Sequence, residues 1–155
     1  MITKKIACYH EAGHAVVGAH LGLRVASAEV SKTKDYFGDS VWGGTALVNE
    51  IPDEFILSKI WIALAGVFSE LLFAPVDHKK QTEFYEKHGV YTGDLFEILP
   101  LLDKLETLPD APKRSEVFNE IFAFLKTNKP KLRRVARALA HSEKLSEEDL
   151  RTLLK

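Results

Sequence analysis

The longest apolar stretch of the chain covers residues 55–75, FILSKIWIALAGVFSELLFAP, and predicts a central helix buried on most of its faces. Its length approaches that of a membrane span, yet Lys59, Ser69 and Glu70 interrupt it, and charges inside a span are costly. A core helix is therefore expected, with no membrane span. Ile51-Pro52-Asp53 opens it, because proline suits a first helical turn and Asp53 and Glu54 favour its positive end, and Pro75 closes it. Ahead of it, residues 3–21 read as a helix, with Thr3 as its cap and Gly22 where a helix usually stops. Residues 24–32 and 42–49 are rich in Val, Ala, Ser and Thr and predict the strands of a β-hairpin, joined by the polar residues 33–41. Gly43 and Gly44 weaken the second strand or mark a close backbone approach.

Farther on, residues 77–91 are polar and read as a loop. Thr92-Gly93-Asp94 leads into a helical stripe of Leu95, Ile98, Leu99 and Leu102, despite Pro100. A break at 108–112 precedes amphipathic helices at 115–126 and 129–141, and Ser146-Glu147-Glu148-Asp149 starts a short last helix. The expected fold is mainly α (α+β): a single helical domain over residues 1–155, with a small β-hairpin after the first helix.

Composition narrows the function classes. With 155 residues, 46% of them hydrophobic and 28% charged, the chain can bury a real core. Its 21 basic and 22 acidic side chains nearly cancel, so no nucleic-acid partner is expected. The run Lys129, Lys131, Arg133, Arg134, Arg137 alternates with apolar residues, as on a solvated helix face. Cys8 has no second cysteine to pair with, which fits a reducing compartment. The N-terminus MITKKIACYHEAGH is a poor signal peptide, so a cytoplasmic protein is expected.

The chemistry lies in His10-Glu11-Ala12-Gly13-His14. Positions four apart on a helix stand ~40° from one another, so both imidazoles can reach one metal ion. Glu11 lies ~60° around from His14, where it can reach water at that metal without being a ligand. Zinc lowers the pKa of its water to about 7, and a nearby carboxylate can carry the proton from that water to a leaving amine. Ile6, Val17 and Leu21 share this face, so core histidines are the competing account. Two histidines and a glutamate are, however, expensive to desolvate without a purpose. A catalytic zinc usually takes three protein ligands and keeps one position open. Glu70, Asp94 and His88 are the candidates for the third. Asp94 also suits a helix cap. Trp42 and the glycines after it are candidates for lining a substrate cleft, and a free hairpin edge suits an extended peptide.

Tyr9-His10-Glu11-Ala12-Gly13-His14-Ala15-Val16-Val17 resembles the zinc-site helix of the FtsH-type ATP-dependent zinc metalloproteases. Residues 63–73, ALAGVFSELLF, are similar to that family's Ala-Leu-Gly-Gly-x-x-Ala-Glu-Glu helix, and Thr92-Gly93-Asp94-Leu95 to its Thr-Gly-…-Asp-Leu/Ile segment. Residues 135–140 and 145–150 resemble its terminal helices. The order is kept over nearly the whole chain. The resemblance implies a zinc metalloendopeptidase with one zinc per chain, held by His10, His14 and Asp94, with Glu11 as general base and a peptide or protein substrate. It gives Glu70 a hydrogen-bonding role beside the site. Relatives form rings and carry an ATPase domain and membrane spans upstream, so a homo-oligomer and a separate ATPase are the partners implied for a free-standing peptidase domain that acts without ATP. The interval between Gly93 and Asp94 is shorter than in the family. The alternative function is a non-catalytic, peptidase-like binding module.

Overall fold

The computed structural model describes residues 3–35, 37–73 and 92–155; the side chains of 92–97 lie outside that description. The described chain is mainly helical and carries one small antiparallel sheet. Helix α1 spans Lys4–His20. The Thr3 hydroxyl accepts from the Ile6 amide at 3.2 Å, satisfying a donor that the first turn leaves open. The helix stops at Gly22, whose φ of +75° is left-handed and closed to most side chains.

Strands β1 (Val25–Lys34) and β2 (Ser40–Val48) form the expected hairpin, with Ala28 opposite Ala46 and Val30 opposite Gly44. At the turn, the Asp35 carboxylate accepts the amides of Phe37 and Asp39 at 2.9 Å each, and Gly38 takes a φ of +83°.

Helix α2 spans Ile56–Phe73 and begins later than the sequence pattern suggests. The Phe55 amide bonds back to the Pro52 carbonyl, so Pro52 sits in a turn ahead of the helix. Ile51 is buried, and that turn swings the chain from strand β2 into α2. Asp53 consequently spends its charge on Lys59 rather than on the helix end. By length and composition α2 is apolar enough to cross a membrane, with mean hydropathy 1.8 and 56% of it buried inside the molecule. Ile60, Leu64, Val67 and Phe68 are buried, and the helix packs against α1 and against α3 (Thr92–Glu106) and α4 (Arg114–Thr127). Pro75, the expected end of α2, lies outside the described residues, as do His78 and His88.

Helix α5 (Lys129–Ser142) buries Leu132, Val135, Ala136 and Leu139, one stripe at helical spacing, against α1. Arg133, Arg134 and Arg137 lie on its exposed side, as the alternation predicts. Strand β3 (Lys144–Ser146) then pairs with the far edge of β1, giving the order β2-β1-β3, and α6 (Glu147–Leu153) follows behind the Ser146 cap. A three-residue strand with only Leu145 buried has too little alternation to be read from sequence.

Candidate metal centre

The α1–α2 crossing builds the centre. Close approach of the helices requires Gly13, where a side chain would collide with the Ala65 carbonyl and the Ser69 hydroxyl. It also requires Gly66, where a Cβ would stand 2.5 Å from His10 Nε2 and 2.6 Å from its Cε1. The His10 ring therefore lies directly over the bare backbone of α2.

His10 and His14 face each other with their Nε2 atoms 3.1 Å apart. The other nitrogen of each ring is held by α2. His10 Nδ1 lies 2.5 Å from Glu70 Oε1, and His14 Nδ1 lies 2.8 Å from the Ile62 carbonyl. A carbonyl can only accept, so His14 carries its proton on Nδ1 and turns an Nε2 lone pair toward His10. Burial, together with the His10 charge, pushes the His14 pKa down to about 3, against a raising effect from the Ile62 carbonyl. His14 is therefore neutral over the physiological range. An ionised Glu70 accepts from His10 Nδ1–H, which leaves His10 Nε2, facing His14, to carry either a lone pair or, in the imidazolium, a second proton.

At this distance the two nitrogens either share a proton, His10 Nε2–H donating to His14, or hold a cation between two lone pairs. Tetrahedral zinc, bonded at about 2.0–2.1 Å, places two ligand nitrogens roughly 3.3 Å apart. The donor set thus fits zinc in type and spacing, and in tautomer once His10 Nε2 is deprotonated. The carboxylate on His10 Nδ1 is also the usual outer support of a metal-binding imidazole. Charge points the same way. Glu11 and Glu70 are each only 4% exposed, and two buried carboxylates in one region are costly unless positive charge offsets them.

Glu11 sits against strand β2. A Cβ at Gly44 would fall 2.6 Å from Glu11 Cγ and 2.9 Å from its Oε1. Of the two explanations for the glycine pair, the close approach holds at Gly44. Trp42 does not line the cleft; it packs beneath Lys4 and Lys32 at the far end of the hairpin.

A cleft of about 650 Å³ opens over these groups. His10, Glu11 and His14 lie on its floor side, Gly44, Thr45, Ala46 and Val48 of β2 form one wall, and Ile51, Lys59, Ile62, Ala63 and Leu101 contribute the rest with Asn49 and Glu50. Among the described residues the outer edge of β2 pairs with no other strand. The sequence therefore brings His10, Glu11, His14 and Glu70 together. Asp94 has its backbone in the first turn of α3, seven positions before the cleft residue Leu101, and its side chain lies outside the described residues. Among the described residues no group of three His, Cys, Asp or Glu side chains converges as a complete metal site. Two contributors escaped the sequence reading. The Ile62 carbonyl acts through its backbone and leaves no residue-type signal. Lys59 did leave one, as a lone cation in an apolar helix.

Cys8 is buried, and burial raises its thiol pKa to about 11, so it stays protonated away from the site. His20 stacks on Trp61 and lies tilted against Phe124 at the end of α1. No protein-family model matches the chain, and no curated protein matches it either.

Proposed function

We propose that this protein is a zinc-dependent metallopeptidase that hydrolyses peptide bonds in the cleft between α2 and β2. The observation carrying the reading is the pair of imidazoles with both Nδ1 atoms held and both Nε2 atoms facing across 3.1 Å. His10 and His14 would hold the ion, with Asp94 as third ligand by its resemblance to the FtsH-type segment. Bound zinc supplies Lewis acidity, which acidifies water and polarises a carbonyl.

The chain's own residues do the rest. Glu70 and the Ile62 carbonyl fix the tautomer and tilt of the two imidazoles, so both rings are set before any ligand arrives. Glu11 takes the proton of the attacking water and delivers it to the departing amine. The edge of β2, unpaired among the described residues, offers backbone donors and acceptors to an extended peptide, which would lie as a fourth strand across the cleft. Homo-oligomerisation, a separate ATPase partner and a cytoplasmic location belong to the proposal through the family resemblance.

The test pairs metal content with proteolysis. Protein purified without chelators should carry one zinc per chain by plasma mass spectrometry, and His14→Ala should lose it. Glu11→Gln should keep the metal and lower hydrolysis of unfolded casein by about 10²–10⁴-fold, the usual worth of a general base. Casein cleavage that survives Glu11→Gln would sink the mechanism. A wild type that takes up no zinc would turn the reading to a binding module.

A further inference from the structure

Helix α2 carries two charged residues, Lys59 and Glu70, in an otherwise uncharged run. Glu70 holds His10. Lys59 lines the cleft, and among the described cleft residues it is the only Lys or Arg. It stands three positions, about one helical turn, before Ile62, whose carbonyl holds His14. Its side chain is 25% exposed and pairs with Asp53, whose own side chain is 87% exposed. The hydrogen bond from the Lys59 ammonium, and after it the Lys59 charge, hold the Asp53 carboxyl below the usual carboxylate range.

We propose that Lys59 selects peptides by binding one of their carboxylates, and that Asp53 occupies the ammonium until a substrate displaces it. This rests on the reading of the cleft as a peptide site. A pair whose acid lies in water is weakly held, so exchange for a substrate carboxylate costs little. The same exchange inside the cleft gains more, because the incoming acid is shielded from water by the peptide that carries it. Glu50, also on the cleft wall, repels an acid at its own end, so the preference applies to one position along the peptide. The carboxylate comes either from an Asp or Glu side chain or from the peptide C-terminus.

A simpler role for the pair is a strap that ties the segment between β2 and α2 to the helix. The two roles separate by sign. As a strap, Lys59→Met and Asp53→Asn break the same bond and must act alike. As a selector, they act oppositely, because one removes the receptor and the other removes its competitor.

The experiment uses the zinc-loaded full chain and quenched-fluorescence peptides in which a single Glu or Gln is scanned along the sequence, each with a free or an amidated C-terminus. We expect Lys59→Met to raise KM for the best Glu peptide about tenfold more than for its Gln twin, and Asp53→Asn to lower it about threefold, mainly in KM rather than kcat. If the free C-terminus is preferred over the amide while Glu and Gln peptides are cleaved alike, the carboxylate is C-terminal; if Glu is preferred over Gln with either terminus, it is a side chain. Equal cleavage of Glu and Gln peptides at every position, together with equal cleavage of free and amidated termini, overturns the proposal and leaves the peptidase reading standing. So does a parallel loss in both variants. Binding of the same peptides to Glu11→Gln, read by fluorescence anisotropy, covers a wild type that cleaves nothing. There, charge-dependent binding supports Lys59 and refutes hydrolysis, whereas charge-blind or absent binding refutes Lys59.

Discussion

Gly66→Ala isolates the position of one imidazole without touching a polar group. The new methyl would stand 2.5 Å from His10 Nε2, 2.6 Å from Cε1 and 2.7 Å from Cδ2. Ordinary contact begins near 3.4 Å, so ring and helix must separate by roughly 0.9 Å. The ring cannot swing freely, because Glu70 holds its Nδ1 from the same helix. Two effects on folding oppose each other. Alanine is a better helix former than glycine by about 1 kcal/mol, whereas overpacking costs about 1–3 kcal/mol. The net expectation is a loss of about 0–2 kcal/mol, small enough to leave the protein folded. The effect on metal is far larger, since metal–ligand distances tolerate changes of only about 0.2 Å. Zinc affinity should fall by about 100-fold or more, read by competition with a chromophoric chelator, with a metal-free thermal melt as the folding control. A folded Gly66→Ala protein that binds zinc within about threefold of wild type would refute His10 as a ligand in this position, since even changes to outer-shell partners cost more.

Three further outcomes follow from the same geometry. Glu70→Gln should weaken zinc binding by about 10–100-fold while leaving the fold intact, and an unchanged affinity would remove Glu70 from the support of His10. His14 should make the metal-free protein acid-sensitive. Its folded pKa of about 3 lies below the ordinary 6.5, so as pH falls from 6.5 the unfolded chain takes a proton that the native state refuses. The His14 contribution is therefore intact above pH 6.5 and is lost toward pH 3, at up to about 1.4 kcal/mol per pH unit. Urea unfolding at pH 7.5 and 5.5 should show a smaller loss for His14→Asn than for wild type, and equal losses would contradict the burial of this imidazole. Finally, Ser146→Ala should cost about 1 kcal/mol in chemical denaturation, because it deletes the hydroxyl that accepts the Asp149 amide at 3.1 Å in a reciprocal cap.

Local rules made much of the fold legible. Thr3 and Ser146 cap helices where their side chains can satisfy open amides, and the four-residue period of Leu132, Val135, Ala136 and Leu139 marks a buried stripe. The hairpin was visible in its Val and Thr content, although its strands run closer to the turn than that content suggests. Strand β3 and the start of α2 were not legible, because long-range contacts decide both. Lys144, Leu145 and Ser146 become a strand only because β1 offers an edge, and Pro52 stays out of the helix because the chain must turn there to bury Ile51. In the site, the spacing of His10 and His14 predicted their convergence. The partners on α2 depend on how two helices cross, which no single segment encodes. Gly66 shows the limit well: its role becomes apparent only when the His10 ring is seen resting on it.

The pairing of β1 with β3, and of α1 with α5, has a consequence in time. Lys4 and Glu143 touch across a separation of 139 positions, and contacts so distant in the chain make folding slow. Ribosomes add about 5–20 residues per second, so the histidine helix emerges on the order of 10 s before the helix that packs behind it. During that interval the nascent chain carries the histidine helix without the partner that packs behind it. The apolar face of α1 that α5 covers in the folded protein therefore stays uncovered until α5 has itself emerged.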